Sequence, residues 1–224
     1  MYTEIAKTQR KEKMMKVNAF ALILIIIFVS FLGFITENIF IFARHGFIDN
    51  RNMVLPFLLG YGLAILIIFK LFGTPNTPLF FTKELYFKKP FISSLYYFII
   101  SFLCVSIGEL ILGHLIEWSC NIIWWDYTSL PFHVTKYTSV PTSFLFASMI
   151  TVFMKYLFDP MLNMFAKIPY QVLSIITITL IVLLGIDFIH SGIYMFKNRE
   201  ILQLWRIEFE HSLIEIFDGI KINS

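Results

Sequence analysis

The strongest constraint on the fold of this chain is a series of apolar runs, each long enough to cross a lipid bilayer. The first, VNAFALILIIIFVSFLGFI, covers residues 17–35, about 19 residues without a charged side chain. An α-helix needs about 20 apolar residues to cross about 30 Å of hydrocarbon. Further runs predict helices over residues 55–72, 91–117, 142–158 and 170–196. We therefore expect an all-α, polytopic integral membrane protein with about five transmembrane helices.

The composition excludes an ordinary soluble protein. Hydrophobic residues make up 58% of the 224 residues, charged residues only 15%, and the mean hydropathy is +0.75. One soluble core cannot bury that much apolar surface. The formal charge of +3 comes mostly from basic clusters beside the apolar runs, which indicates contact with anionic headgroups and not with nucleic acid. These features predict a multi-pass protein of the plasma membrane.

Three segments lie outside the predicted helices. Residues 1–16 form a basic tail, and no cleavage site follows the first run, so we expect an uncleaved anchor. The segment after the first helix, residues 38–54, is apolar and then polar, which is typical of an interfacial or a re-entrant segment. Residues 197–224 alternate large apolar and charged side chains and predict an amphipathic helix on a membrane or partner surface. The charge bias places positions 7 and 85 on the same, cytoplasmic side.

Two carboxylates interrupt the third predicted helix, in the sequence ELILGHLIEWSC. Helical spacing places Glu109 and Glu117 on one narrow face, about 12 Å apart along the axis. A carboxylate facing lipid at mid-bilayer would cost from about 2.5 to more than 10 kcal/mol. That face therefore looks into protein or a wet cavity, or else it lies at the helix end among headgroups.

A polar pocket is the expected consequence of these carboxylates. Glu37, on the same face of the first helix as Ser30 and Gly33, is either part of it or a carboxylate at the membrane boundary. The basic residues available as partners are Arg44, Arg51, Lys155 and His190. Because Arg44 and Arg51 flank a glycine at which the chain can turn back, we expect Glu37, Glu109 and Glu117 to converge with one of them. The aromatic cluster Trp124, Trp125 and Tyr127 is typical of a headgroup boundary. We expect it to hold Asp126 next to the polar end of the helix that carries Glu109 and Glu117.

A second polar patch is predicted near the end of the fifth helix. Asp187 and His190 share one face there with Ser191 and Tyr194.

The two cysteines predict neither a disulfide nor a metal site. Cys104 and Cys120 lie roughly 24 Å apart on one helix, too far for a disulfide, and no Cys/His spacing predicts a metal site.

Several spaced motifs resemble one known family. They are Gly33-x3-Glu37, Arg44-x-Gly46-Phe47-Ile48, Pro56-x3-Gly60-Tyr61-Gly62, Glu109-x3-Gly113-x3-Glu117, Trp124-Trp125-Asp126-Tyr127 and Pro131-Phe132. Together they resemble the CmpB-type family of ABC-transporter permeases of bacterial membranes, over roughly residues 20–195. The chain differs from that pattern at His133, at Lys136-Tyr137 and at Ala147. The resemblance implies a membrane protein of five to six helices with a transport function, and it supplies no catalytic residue.

Three functional classes are compatible with the sequence. A transport component would need a separate ATP-binding subunit, because this chain contains no G-x4-G-K-[ST] phosphate loop. An intramembrane enzyme would need a reacting set of side chains, but no HExxH or GxSxG spacing is present. A structural or regulatory membrane protein would use the same polar residues to hold helices together. We expect the first class, with no catalytic residue, cofactor or metal, and with lipid, an ATP-binding subunit and further copies of the chain as partners.

Overall fold

The computed structural model describes residues 19–81 and 83–210, which form a mostly helical bundle. The helices are α1 (Ala19–His45), α2 (Leu59–Phe72), α3 (Pro90–Cys120), α4 (Val140–Val152), α5 (Phe158–Phe165) and α6 (Tyr170–Asn198). A π-helical turn, Phe153–Leu157, joins α4 to α5. Five short strands lie in the connections: β1 (Phe47–Asp49), β2 (Gly73–Thr74), β3 (Thr77–Phe80), β4 (Lys83–Glu84) and β5 (Arg206–Glu208).

Four helical units in the described residues are long and apolar enough to cross a membrane. They are α1, α3, the continuous unit Val140–Phe165 and α6. The second predicted span, residues 55–72, is shorter than expected, because α2 has only 14 residues and a length of about 21 Å. The chain is therefore a multi-pass membrane protein, and its described residues include four helical units of spanning length and one short apolar helix.

The unit α4–α5 continues past the point at which the sequence predicts its end. Pro160 has no N–H and its ring would strike a carbonyl of the preceding turn, so the prediction ended this helix at residue 158. In the structure the Phe158 N–H bonds the carbonyl of Phe153, five residues back. This wider turn allows the proline ring to remain within a helix that continues to Phe165.

Residues 50–58 enter the bundle without helical structure, and we call them the re-entrant segment. The N–H of Leu58 bonds the carbonyl of Ser30 at 2.9 Å, and Ser30 lies about 22 Å along α1 from the end of that helix. The chain therefore descends deep beside α1 before α2 begins. Irregular backbone is tolerated at such depth only where protein groups bond it. This arrangement explains why α2 is short.

The first helix packs tightly against its neighbours. It contacts α2, α5 and α6, and α3 contacts α4. At the crossing with α2, a Cβ added to Gly62 would lie 2.3 Å from the carbonyl oxygen of Ile26. The main core lies around the N-terminal half of α1. It includes the buried side chains of Ile25, Ile68, Tyr97 and Phe158. A second, smaller cluster of Ile116, Cys120 and Met195 joins α3 to α6 near their ends.

The end of α1 meets the C-terminal part of the described chain. α1 extends ten residues beyond its predicted end, to His45, and the side-chain amide of Asn38 donates to the carbonyl of Phe34 within the helix. Strand β1 then pairs antiparallel with β5, with Ile48 opposite Ile207. The amphipathic helix predicted over residues 197–224 is not found in the described part of that tail, which is extended after Asn198 and pairs with β1. Residues 211–224 and the basic tail of residues 1–16 lie outside the described residues.

Candidate functional site

A cavity of about 430 Å³ lies where the end of α1, strand β1, the loop after α3 and the tail after α6 meet. We call it the charged cavity. Its charged lining residues are Glu37, Asp49 and Asp126 and the basic Arg44, Arg51 and Arg206. Its aromatic lining residues include Phe40, Phe47, Trp124, Trp125 and Tyr127. The structure thus brings together four of the predicted pocket residues, namely Glu37, Arg44, Arg51 and Asp126.

One side of the charged cavity is an internally bonded acidic and basic network. Glu37 accepts a short hydrogen bond from the hydroxyl of Tyr61 on α2 and lies 3.9 Å from a guanidinium nitrogen of Arg51. Asp49 lies 3.4 Å from the same guanidinium and accepts the backbone N–H of Arg51 at 2.8 Å. The Arg51 and Glu37 side chains are only 13% and 22% exposed. These groups hold β1 and the start of the re-entrant segment against α1 and α2.

Two other charged residues of the lining, Arg44 and Asp126, are held by neutral groups. The Arg44 guanidinium donates to the hydroxyl of Ser129 at 2.6 Å and lies over the ring of Phe40. Asp126 accepts the backbone N–H of Thr128 at 2.8 Å, and this hydrogen bond lowers the pKa of the carboxyl group. Within the described ranges, neither Arg44 nor Asp126 forms an ion pair. Neutral groups therefore hold both side chains in position, and no oppositely charged side chain among the described residues neutralises them.

Glu109 lies beside the cavity without lining it. Its carboxylate is 3.5 Å from the hydroxyl of Ser143 on α4, and Thr138 is a further polar neighbour. It interacts electrostatically with Glu37 and with Tyr127, whose pKa is raised first by burial and then by these carboxylates. Glu109 therefore interacts electrostatically with the cavity-lining Glu37 and Tyr127 without lining the cavity itself.

Glu117 does not join them. It pairs with Lys136 at 2.5 Å and accepts the hydroxyl of Tyr137 at 2.7 Å, so the predicted convergence of Glu117 with Arg44 or Arg51 is not found. The hydrogen bond that Lys136 donates to Glu117 raises the pKa of Lys136. The loop folds back because the ring of Tyr137 fills the space beside Gly113, where a Cβ would lie 2.3 Å from it. At the sequence level Lys136 was named only as a difference from the family pattern and not as a partner of Glu117, although it is the first lysine or arginine after Glu117 in the chain.

The predicted second patch is divided by the structure. Asp187 is only 5% exposed and accepts the backbone N–H groups of Val54 and Leu55 at 2.9 and 2.8 Å. Ser191 lies beside it, at 3.3 Å. His190 lies on the exposed surface of α6. Asp187 therefore supplies acceptors to the re-entrant segment, while His190 faces away from the bundle.

Three further residues of the charged cavity region were missed at the sequence level. Tyr61 lies between two glycines of a quoted motif, and that position was the available signal. Asp49 and Arg206 gave no signal, because they meet through the pairing of β1 with β5, which joins segments about 150 residues apart. Among the residues that the structure describes, no group of three or more His, Cys, Asp or Glu is placed to hold a metal ion.

Comparison with known proteins gives one family. A family model described as "Putative ABC-transporter type IV" matches residues 24–192, which include all of α3 and α4 and most of α1 and α6. Neither a curated protein nor a solved structure matches the chain. The matched region covers most of the chain and contains both Glu37 and Glu109. The chain therefore belongs to the CmpB family, whose description is that of an ABC-transporter type IV protein.

Proposed function

We propose that this chain is the permease-like, membrane-spanning subunit of an ABC-type transporter in the plasma membrane, and that the charged cavity binds the transported solute. Family membership and the helices of spanning length support the general role. The observation that carries the specific proposal is the charged cavity itself, because it combines charged and aromatic side chains from four separate segments of the chain. A volume of about 430 Å³ is within the usual range for a small-molecule site.

The arrangement of carboxylates supports a path from the charged cavity into the bundle. Glu37 lines the cavity, and Glu109 lies on its inner side beside Ser143 and Thr138. Carboxylates, hydroxyls and tyrosines between packed helices are typical of routes for ions or polar solutes, because unpaired polar groups are costly in lipid. In this proposal Glu37 and Glu109 are the carboxylates that line the transport route. Glu117, paired with Lys136, holds the loop in place.

The energy for transport would come from another subunit. The sequence has no phosphate-binding loop that could hold ATP. The connections at the end opposite the charged cavity present several lysines, Lys83, Lys88, Lys89 and Lys167. In the orientation with the N-terminus inside, these lysines face the cytoplasm, where an ATP-binding subunit would dock.

Purification of the full chain from native membranes in mild detergent tests this proposal. We expect a protein with a phosphate-binding loop to co-purify in a fixed ratio, as identified by mass spectrometry. Neutralising the cytoplasmic lysines by Lys83→Gln, Lys88→Gln and Lys89→Gln should reduce its recovery, whereas Lys197→Gln at the other end serves as the control. If detergent extraction recovers no ATP-binding protein, the purification is repeated from membranes that are cross-linked before extraction. Failure to recover one there as well means that the transporter proposal is wrong.

A second function, that of a structural membrane partner, is favoured by one specific observation. Glu37, Glu117 and Asp187 all have partners within the chain, as expected of groups that lock helices and loops together. In that case the charged cavity would have no solute, and the chain would co-purify with a membrane protein that has no ATP-binding site. The same purification experiment therefore distinguishes the two functions.

A further inference from the structure

The charged lining of the cavity is balanced, but two of its charges are not paired within the protein. Besides His45, three arginines and three carboxylates line it. Arg51 is shared by Glu37 and Asp49, and Arg206 pairs with Glu208 at 2.9 Å. Among the described residues, this leaves one cation, Arg44, and one anion, Asp126, without an oppositely charged partner. A cavity with one free charge of each sign is complementary to a ligand that also carries both.

The two free charges are fixed close to the same turn. Arg44 donates to Ser129, and Asp126 accepts from Thr128, so both are anchored on residues 126–129. Because neutral groups satisfy them in these positions, they stay apart without collapsing onto each other. A ligand that meets both charges would pay little to reorganise the site. Asp126 remains ionised near neutral pH, since its hydrogen bond with Thr128 lowers the pKa.

The same cavity is also lined by aromatic rings, among them Phe40, Trp124 and Trp125. Trp124 and Trp125 lie with ring centroids 6.1 Å apart, and Phe40 lies under Arg44. Aromatic faces accept an ammonium group and also cover an apolar body. The indole N–H of Trp125 is already used by the carbonyl of Tyr137 at 2.9 Å, which fixes the orientation of that ring.

We infer that the charged cavity binds a small zwitterion of the amino-acid type, with its carboxylate at Arg44, its ammonium group at Asp126 and an apolar body against Trp124 and Trp125. This inference rests on the proposed function and names the substrate class of the same site. A purely anionic ligand would be repelled by the carboxylate of Asp126. A purely cationic ligand would be repelled by the guanidinium of Arg44. Discrimination against both follows from the like-charge repulsion.

Equilibrium binding to the full chain in lipid nanodiscs tests the inference. Leucine, isoleucine, methionine, phenylalanine and tryptophan are titrated separately by calorimetry. We expect at least one to bind. Its N-acetyl derivative, which keeps only the anion, and its amide, which keeps only the cation, should each bind at least about tenfold more weakly. Absence of binding by all five amino acids, or equal binding of either derivative, overturns the inference.

Variants of the two free charges provide the second arm. Arg44→Gln and Asp126→Asn should each weaken binding about 10- to 100-fold, as expected for loss of a charged hydrogen-bonding partner. Lys197→Gln and Glu200→Gln remove exposed charges outside the cavity lining and should leave binding unchanged. Arg44→Lys keeps the charge and should bind more tightly than Arg44→Gln, which separates loss of the charge from loss of the fold. Equal binding by Arg44→Gln and the unmodified chain contradicts the assignment.

The binding experiment and the co-purification experiment can fail separately. If an ATP-binding subunit co-purifies but no zwitterion binds, the transport function stands and the substrate class is wrong. If a zwitterion binds but no ATP-binding subunit is found, the site exists and the transporter proposal fails.

Discussion

The carboxylate that bonds the re-entrant segment, Asp187 of α6, and the carboxylate Asp126 of the charged cavity differ in the groups that they bond. Asp187 gives its oxygens to two backbone N–H groups of the re-entrant segment and is almost fully buried. Asp126 bonds one N–H of its own turn, and Arg44 bonds one hydroxyl. Both carboxylate oxygens of Asp187 are thus bonded to backbone N–H groups, whereas Asp126 and Arg44 have no oppositely charged partner among the described residues.

This difference indicates which region serves the fold and which is available for a ligand. Backbone N–H groups at membrane depth cost several kcal/mol when unbonded, so a carboxylate that bonds two of them is required for stability. A charged group at the edge of a wet cavity does not have that role, and its replacement need not destabilise the protein. The presence of an acidic residue in an apolar helix is therefore insufficient to identify a functional site.

The largest expected effect is that of removing Asp187. Asp187→Leu leaves the N–H groups of Val54 and Leu55 without acceptors and should lower the free energy of unfolding by about 2–6 kcal/mol. His190→Leu, on the exposed side of the same helix, is the matched control and should change it by no more than about 0.5 kcal/mol. Chemical denaturation in detergent measures both. Equal stability of the two variants would show that Asp187 does not hold the re-entrant segment.

The next largest effect concerns the helix crossing below the re-entrant segment. Gly62→Ala places a Cβ against the carbonyl of Ile26 and the hydroxyl of Ser30, and should cost about 1–3 kcal/mol of stability. Gly60→Ala, two residues earlier, meets open space and should be nearly neutral. Thermal unfolding of the two variants compares them directly. A loss for Gly60→Ala that equals the loss for Gly62→Ala would exclude close packing of α1 on α2 as the cause.

The sequence predicts the apolar helices well because their signal is local. Each apolar run appears as a helix near its predicted position, and only the ends differ, as at Pro160, where a π turn replaces the expected break. The polar contacts are less predictable because they join distant segments. Helical spacing placed Asp187 and His190 on one face, but the boundary of the buried surface passes between them, since they differ by about 60° around the axis. Only the position of the re-entrant segment shows which of them faces inward.

A smaller effect is expected from the Glu117–Lys136 pair. Both side chains are about one-third exposed, and water screens such a pair. Glu117→Gln should therefore reduce thermal stability less than Gly62→Ala does, and Lys136→Gln should show a similar small change. A double-mutant cycle measures the interaction between them. A loss as large as that of Asp187→Leu would place Glu117 among the residues that the fold requires.

The smallest effect concerns acid pH. The hydrogen bond with Thr128 holds the pKa of Asp126 below the ordinary value of 3.8. Ionised Asp126 therefore stabilises the folded turn at pH values above 3.8. This stabilisation is lost as the pH falls through the lowered pKa of the folded state. Tryptophan fluorescence of Trp124 and Trp125 should change in that acid range for the unmodified chain. The part of the change due to this turn should be absent in Asp126→Asn. An identical acid transition in both would mean that the turn does not depend on the carboxylate.

The most direct test of the comparison is the unfolding temperature of the double variant Arg44→Gln/Asp126→Asn, measured in detergent beside Asp187→Leu. The account predicts a change of less than about 4 °C for the double variant, since about 1 kcal/mol corresponds to about 2–4 °C for a chain of this size, and a clearly larger loss for Asp187→Leu. A double variant that unfolds at as low a temperature as Asp187→Leu would contradict the claim that the charges of the cavity are free for a ligand.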